Sequence, residues 1–415
     1  MAEVERAKGT REVNPEDKLL MNHVVDNLRR IFELYGFLPL ETPTLQKFDV
    51  LASKYAGGAE ILKETFKLND QGKREIALRY DLTVPLALYI ALNPNIKLPF
   101  KRYEVGKVFR DGPISSERFR EFWQCDVDII GSSSMLAEAE LINLAFKAFK
   151  EFDLDVEIKI NNREILDAIM KYAGIDSSKI ETIILTIDKL DKIHEEGVKK
   201  ELKEKNLDED QIERIFNIIS IKGSNKDKII RLKDLIEDNE GIKEIEELIQ
   251  YCPNVFLDLS LARGLAYYTG TIFEIFSKSG KSAICSGGRY DNMIGNFLGN
   301  KQKYPAVGIS FGLDRIALLL KKEKKTTVKV YIIPIKTTEQ SFKLLNNIRD
   351  DGINADIDIM GRNISKNLDY ANVLSIPYVI FIGDDEIKLQ KYKLRDMKTG
   401  KEELLNYQQL INKLK

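Results

Sequence analysis

Five stretches in the first third of the chain, FLPLETP, ETFKLND, REIALRY, FKRYEVGKVFR and REFWQCDVDIIG, are strand-like and are separated by turn residues or short helical pieces. Successive side chains on a strand point to opposite faces, so these stretches predict an antiparallel sheet with helices beside it. The last of them constrains the fold most. Gln124, Asp126 and Asp128 recur at period two and therefore share one face of a strand that also carries Phe122 and Trp123. Such a polar face either meets solvent or lines a site. Arg110, Arg118 and Arg120 lie on or around the turn leading into the strand. Guanidinium forks match phosphate oxygens, so arginines across a hairpin from carboxylates and an amide would suit a phosphate beside an amino acid.

The remaining pattern extends this architecture. Leu19, Leu20, Val24, Leu28, Ile31 and Phe32 recur at helical spacing after Asn14-Pro15-Glu16-Asp17, which predicts a capped helix ending at Gly36. VEIKINN, near residue 156, reads as a further strand. From about residue 162 to about residue 250 the texture becomes helical and highly charged, a helical insertion with solvated faces. TIFEIF and SGGRYDNMIG follow, and AVGISFGLDRIALLL runs from strand into helix through Gly308 and Gly312, completing the first sheet. After the charged linker KKEKKTT, the strands VKVYIIPI, NADIDIM and YVIFIGD alternate with helices over about 339–350 and 364–374. That alternation implies right-handed crossovers and a mostly parallel sheet, a separate α/β domain of roughly 90 residues. The predicted fold is thus multidomain α/β: a domain over 1–325 that contains the helical insertion, and a second over 326–415.

A chain of 415 residues exceeds the size at which single cores stop growing, which agrees with that division. Lys and Arg number 64 against 65 Asp and Glu, for a net charge of -1, so the chain as a whole lacks the basic signature of a nucleic-acid coat. No apolar run is long enough to span a bilayer, and the charged start has no apolar signal core, so a cytoplasmic protein is expected. Cys125, Cys252 and Cys285 are odd in number and widely separated, and His23 and His194 are the only histidines. Neither a disulfide framework, nor a metal site, nor a histidine-based triad is predicted.

Residues 261–274, LARGLAYYTGTIFE, place Arg263, Tyr267 and Tyr268 before a strand. In extended backbone the two tyrosines would face opposite ways, so one of them needs a pocket or water. Together with the motifs above, this stretch resembles a known family. YEVGKVFRDGPISSERFREFWQCDVD is similar to motif 2 of class II aminoacyl-tRNA synthetases, GFLPLETPTL with Pro43 to motif 1, and GISFGLDRI with Arg315 to motif 3. RGLAYYTG and GGRYD resemble the two signature peptides of histidyl-tRNA synthetases, and AKGTREVNP and LRYDLTVP match the same family, so the resemblance spans nearly the whole chain.

The resemblance implies a site. Arg263 would sit at the α-phosphate of ATP, where related enzymes hold a metal ion, with Arg110 at the same phosphate. Arg118 would meet the outer phosphates, and Arg315 the adenine or the phosphates. Asp81, Leu82 and Thr83 of RYDLT, with Gln124, would surround the histidine ammonium. Asp128 would accept from the imidazole N–H, and Tyr267, Tyr268, Tyr290, Gly287 and Gly288 would wall the pocket. ATP as substrate, Mg2+, histidine tRNA and a homodimer joined through motif 1 are implied as well, with an anticodon-binding C-terminal domain. Two departures stand out. Ala266 replaces a common Asp, and the motif 2 loop has Glu117-Arg118 and Gly112, the latter where relatives often place an adenine-binding acid. Two other readings are a silent paralogue serving as a regulatory subunit of ATP phosphoribosyltransferase and an uncharged-tRNA sensor. The first predicts loss of the C-terminal domain and of motif residues, the second fused signalling domains and eroded arginines.

Overall fold

A computed structural model describes residues 5–54, 62–115, 118–236, 239–262, 267–278, 280, 282–300, 302–320 and 325–415. Its strands are β1 (Leu38–Pro39), β2 (Leu45–Lys47), β3 (Lys67–Asn69), β4 (Glu75–Leu78), β5 (Phe100–Phe109), β6 (Glu121–Ile130), β7 (Val156–Asn162) and β8 (Val255–Leu257). They continue with β9 (Thr271–Ser277), β10 (Ala283–Arg289), β11 (Ala306–Gly312), β12 (Val330–Pro334), β13 (Ala355–Ile357), β14 (Tyr378–Ile382), β15 (Tyr392–Asp396) and β16 (Glu402–Leu405). Contacts divide the chain into two units, a large one of Val24–Leu320 with the N-terminal residues up to Arg11, and a smaller one of Lys321–Lys415 with Glu12–His23.

In the large unit an eight-stranded sheet has the order β1-β5-β6-β11-β10-β9-β7-β8. Its interior pairings are antiparallel, and β1 and β8 add to its two edges in parallel. The antiparallel expectation holds for the long strands. β3 and β4 also pair antiparallel, but with β2 they form a separate three-stranded sheet rather than joining the large one. The reason lies in the pieces themselves: β3 is exposed at all three positions and β4 fully buries only Ala77, so neither has the two covered faces of an interior strand.

Helix Pro15–Leu34 begins where Asn14 Oδ1 accepts from the Asp17 amide at 2.8 Å, an N-cap with Pro at the first helical position. It buries Val24, Leu28, Ile31 and Phe32 completely, and Phe32 and Phe149 each lie 5.7 Å, ring to ring, from Phe311 of β11. Phe149 belongs to helix Leu136–Glu151, which buries Leu141, Ile142, Leu144, Ala145 and Ala148 in the same core. Helical packing on β6 and β11 fixes those strands and sets the polar face of β6 to line a cleft. Between β7 and β8 run six helices among the described residues, from Arg163–Tyr172 to Glu240–Tyr251, matching the helical, charged texture.

The second unit carries a five-stranded sheet of order β13-β12-β14-β15-β16. The first three strands are parallel and are joined through helices Thr338–Asp350 and Ile364–Val373. Beyond them, β15 and β16 form an antiparallel hairpin on the β14 edge, which the strand-and-helix alternation did not include. Its strands are rich in Lys, Arg and Glu, with only Leu394 fully buried, so they give no apolar signal.

Candidate active site

The cleft is built around β6. Gln124 pairs in register with Gly106 of β5 and Gly312 of β11, Asp126 with Glu104 and Ser310, and Asp128 with Arg102 and Gly308. The period-two face is real: Gln124, Asp126 and Asp128 all line one cavity, and the two carboxyls are almost wholly buried. The cavity measures about 60 Å³, several times the roughly 10–15 Å³ that one water needs. Glycines make room for it. A Cβ on Gly308 would come within 1.9 Å of Asp128 Oδ1, and one on Gly287 within 2.1 Å of the Gly308 carbonyl oxygen.

Most of the expected residues meet there. Asp81, Thr83, Arg110, Gln124, Asp128, Tyr267, Tyr268, Gly287, Gly288 and Tyr290 all line the cavity. Asp81 Oδ1 accepts from the Thr83 amide at 3.2 Å and the Val84 amide at 2.9 Å, at the start of helix Thr83–Leu92. Tyr267 and Tyr268 lie together, with ring centroids 4.8 Å apart, and Tyr267 meets Tyr290 edge-on at 6.2 Å. The opposite-face expectation for the two tyrosines fails because both precede β9, in a turn where strand alternation does not apply. Arg110 stands over the Tyr80 ring at 4.3 Å and the Phe122 ring at 5.1 Å.

Other residues fall elsewhere. Leu82 departs from the expected set: its side chain is fully buried in the core, and its carbonyl accepts from Arg102 Nη2 at 2.9 Å. Neither Arg118 nor Arg315 is among the side chains lining the cavity. Arg118 Nη2 pairs with Glu64 Oε1 at 3.0 Å, and Arg315 Nη1 donates to the Ala283 carbonyl at 2.5 Å. Glu64 also accepts from the Tyr80 hydroxyl at 3.1 Å, and its Oε1 lies 2.6 Å from where a Gly112 Cβ would be. Arg263 and Ala266 lie outside the described residues, as does Glu117.

Beneath the cleft runs a buried charge network that the sequence reading did not assign. Arg102, with no exposed side-chain surface, places Nη2 2.9 Å from Asp128 Oδ2 and Nη1 3.7 Å from Glu104 Oε2. Glu104 Oε1 accepts from Arg79 Nη1 at 2.7 Å and from the Thr42 amide at 3.0 Å, tying the segment beside Pro43 to the floor of the cleft. Asp128 Oδ1 accepts from the Tyr290 hydroxyl at 2.5 Å. A second buried pair, Arg289 with Glu138 at 2.7 and 2.8 Å, anchors the GGRYD segment. The signal for the first was present: Arg102 and Glu104 alternate with Tyr103 and Val105 on β5, charges at period two in a strand whose neighbour carries Asp126 and Asp128.

Electrostatics divide the two carboxyls. Burial pushes Asp126 up to about 8, against the pull of Arg102 and a hydrogen bond with Ser310, while neighbouring Asp128 adds to the rise. Burial also raises Asp128, opposed by Arg102 and the Tyr290 hydrogen bond. For Arg102, burial disfavours the cation, but Asp128, Asp126 and Glu104 outweigh it and hold its pKa above the usual value. Burial, followed by the charge of Asp128, drives the Tyr290 phenol well up, so it stays a donor. Gln124 Nε2 donates to Ser310 Oγ at 2.8 Å, which leaves Gln124 Oε1 and Asp126 Oδ1 as buried acceptors without a hydrogen-bond partner. Both belong to cavity-lining residues. Buried polar atoms ordinarily find partners, so the cavity calls for a ligand rich in N–H groups.

Comparison with known proteins agrees with this chemistry. A family model described as histidyl-tRNA synthetase matches residues 9–316, and one described as anticodon binding domain matches residues 329–415. The chain is 44% identical to histidine–tRNA ligase 1 of Bacillus cereus (strain ZK / E33L), across 99% of this chain and 100% of that protein. It is 38% identical to the histidine–tRNA ligase of Clostridium tetani (strain Massachusetts / E88), across 98% and 97% of the two chains. The crystal structure of histidyl-tRNA synthetase from Nostoc sp. PCC 7120 superposes with a TM-score of 0.87 at 31% identity, covering 100% of this chain and 99% of that one.

Proposed function

Because the chain belongs to the histidyl-tRNA synthetase family, we propose that its cleft is where L-histidine and ATP form histidyl-adenylate and pyrophosphate. The overall reaction is the family's: a class II synthetase ligates histidine to its tRNA using ATP. The observation that supports the site assignment is the row of buried acceptors without a hydrogen-bond partner on the β6 face, Gln124 Oε1, Asp126 Oδ1 and Asp128 Oδ2, the last held only by the Arg102 ion pair. Histidine brings three ammonium N–H groups and a ring N–H to such a face.

In this reading Asp81, Thr83 and Gln124 surround the ammonium. Asp128, steadied by Arg102 and Tyr290, accepts from one ring N–H, and Tyr267, Tyr268 and Gly287 close around the ring. Attack of the histidine carboxylate on the α-phosphorus concentrates negative charge on phosphoryl oxygens and pyrophosphate. The barrier therefore falls through positioning and fixed positive charge rather than through proton transfer. Arg110 and Arg263 are assigned to the α-phosphate, and Arg118 and Arg315 to the rest of the nucleotide. Arg118 would exchange its Glu64 partner for phosphate oxygens on binding. Mg2+ would enter with ATP, neutralising the phosphates, since this ion is commonly held by one or two carboxylates plus substrate oxygens. Among the described residues no three Asp, Glu, His or Cys side chains converge on a metal of their own.

Residues 1–325 form the catalytic domain and residues 326–415 the anticodon-binding domain in this reading. Leu38 and Leu45 in the segment that resembles motif 1, and Leu34 just before it, are more than half exposed, which supports a homodimer with a second copy covering them. Buried, unbridged Cys125, Cys252 and Cys285 fit the reducing cytoplasm, and no helix among the described residues is long and apolar enough to cross a membrane. The test is histidine-dependent exchange of pyrophosphate into ATP by the full chain. A chain shortened after Lys325 should keep that exchange and lose most tRNA charging. No exchange with histidine by the folded full-length protein would refute the reading.

A further inference from the structure

We propose that Arg11 is a positioning residue for the nucleotide half of the cleft: by bridging Asp314 and Phe119, it fixes the segment carrying Arg315 relative to the segment carrying Arg118. This rests on the assignment of Arg118 and Arg315 to the nucleotide. Arg11 Nη2 lies 2.7 Å from Asp314 Oδ1, 303 positions away in the sequence, and the guanidinium carbon stands 4.1 Å from the centre of the Phe119 ring. Asp314 immediately precedes Arg315 at the start of helix Leu313–Leu319, and Phe119 immediately follows Arg118. One guanidinium thus touches the chain neighbour of each nucleotide arginine.

Both contacts rest on fixed supports. Asp314 Oδ2 accepts from the Trp123 amide of β6 at 3.2 Å, so the carboxylate that meets Arg11 is already tied to the large sheet. On the other side, the Arg120 amide donates to the Gly9 carbonyl at 2.9 Å, while the Arg120 carbonyl accepts from the Arg110 amide at 2.8 Å. The N-terminal segment therefore docks on the same hairpin that holds Arg110, Arg118 and Arg120. The approach needs glycine at position 9, where φ is +83° and a Cβ would lie 2.7 Å from Arg120 Cγ. Thr10 closes a turn beside it, its amide and hydroxyl both donating to the Ala7 carbonyl, at 3.1 and 2.7 Å.

This arrangement suits positioning more than stability. Arg118 is about half exposed and Arg11 is partly exposed, and an ion pair in such a place adds little to the folding free energy. What it does is narrow the spread of two arms that must meet the same nucleotide, and reaction at a phosphorus centre depends steeply on such placement. Arginine fits the task because its guanidinium can pair with a carboxylate while standing over an aromatic ring.

The experiment measures pyrophosphate exchange by Arg11→Ala, Arg11→Lys, Asp314→Asn and the double variant Arg11→Ala with Asp314→Asn, taking Michaelis constants for ATP and for histidine and a melting temperature for each. Arg118→Ala and Arg315→Ala serve as benchmarks. Arg11→Ala should raise the ATP constant roughly 3- to 30-fold, the range spanned by loss of one exposed ion pair and one cation–π contact. The histidine constant should stay within about twofold and the melting temperature within about 2 °C of wild type. Lysine keeps the charge opposite Asp314 and should recover a large part of the loss. Asp314→Asn keeps an acceptor for the Trp123 amide but loses the charge. Since Arg11 acts through Asp314, the double variant should be within about twofold of the worse single one. Arg11→Gln takes the place of the alanine variant if that protein does not fold. An unchanged ATP constant in the alanine or glutamine variant overturns the proposal. So does an equal rise in the histidine constant, a lysine variant as impaired as alanine, or full additivity in the double variant. Benchmark variants with a normal ATP constant refute the nucleotide assignment and the proposal with it, whereas impaired benchmarks beside a normal Arg11→Ala refute the proposal alone.

Discussion

At the centre of the C-terminal sheet, β12 and β14 bury Val330, Ile332, Ile380 and Ile382 against Leu344, Leu345 and Ile348, with no charged side chain in that cluster. The interior strands of the large sheet are different. There β5 and β6 bury Arg102, Glu104, Asp126 and Asp128 alongside Val108, Cys125 and Val127. Apolar strands are the ordinary content of a sheet covered by helices, and buried charges contribute little net stability while being costly to break. The contrast separates a sheet whose interior is apolar packing from one whose interior strands carry charge at a packing cost.

The sharpest way to break the contrast is at Arg102. Changing it to Met keeps the bulk but leaves Asp128 and Glu104 without their shared cation, and stripping one partner from a buried ion pair costs about 3–5 kcal/mol. We expect the denaturant midpoint of the large unit to fall accordingly, with histidine-dependent exchange lost or strongly impaired even where the protein stays folded. A variant as stable and as active as wild type would mean that the network is incidental.

The matched change in the other sheet is Ile380→Ala. Ile380 is fully buried in β14, and truncating it should cost about 2–5 kcal/mol through lost transfer energy and a cavity. Pyrophosphate exchange should be untouched while tRNA charging falls as the C-terminal unit loosens. Reduced exchange at full occupancy of the large unit's folded state would show that the two sheets are not functionally separable.

Asp128→Asn sharpens the comparison within the cleft. The substitution keeps the shape and removes the charge, so the ring N–H loses about 1–3 kcal/mol of hydrogen bonding and the histidine Michaelis constant should rise roughly 10- to 100-fold. Because Asp128 also neutralises Arg102, some thermal stability should be lost as well. The constant for ATP, measured where the variant remains folded, should stay near wild type. If it rises in step with that for histidine, Asp128 is only a counter-ion.

The same contrast explains what could be read from the amino acids. Helices Thr338–Asp350 and Ile364–Val373 fall within a residue of their predicted positions and β12 and β14 within the predicted stretches, since apolar periodicity set by a packed core is written in the residues that pack, whereas β13 is shorter than predicted and helices Asp384–Leu389 and Tyr407–Leu414 were not predicted. The antiparallel hairpin of β15 and β16 left no such trace, being largely charged and half covered. In the cleft, the alternation of Gln124, Asp126 and Asp128 was legible because period two is local. The partnership of Arg79 and Arg102 with Glu104 was not, since it depends on a register that brings residues 42, 79, 104 and 128 together. Similarly, Tyr267 and Tyr268 share a wall because the chain turns there before β9 begins, a matter of backbone geometry that residue type does not dictate.

The smallest expected effect concerns pH and again separates the two sheets. A carboxyl with a folded-state pKa of about 8 and an unfolded value near the ordinary ~3.9 holds an extra proton in the folded state between those limits. Stability contributed by this group is therefore fully present below about pH 4 and is lost as pH rises through the window to about 8. The slope is at most about 1.4 kcal/mol per pH unit. For the ligand-free protein, the midpoint of the large unit should thus decline between pH 6 and pH 8, and Asp126→Asn, which cannot ionise, should flatten that decline. The C-terminal unit, whose apolar cluster holds no buried carboxyl, supplies the internal control and should show no comparable slope. Equal slopes for wild type and Asp126→Asn would show that Asp126 is already ionised at neutral pH and would remove the electrostatic difference between the two carboxyls of β6.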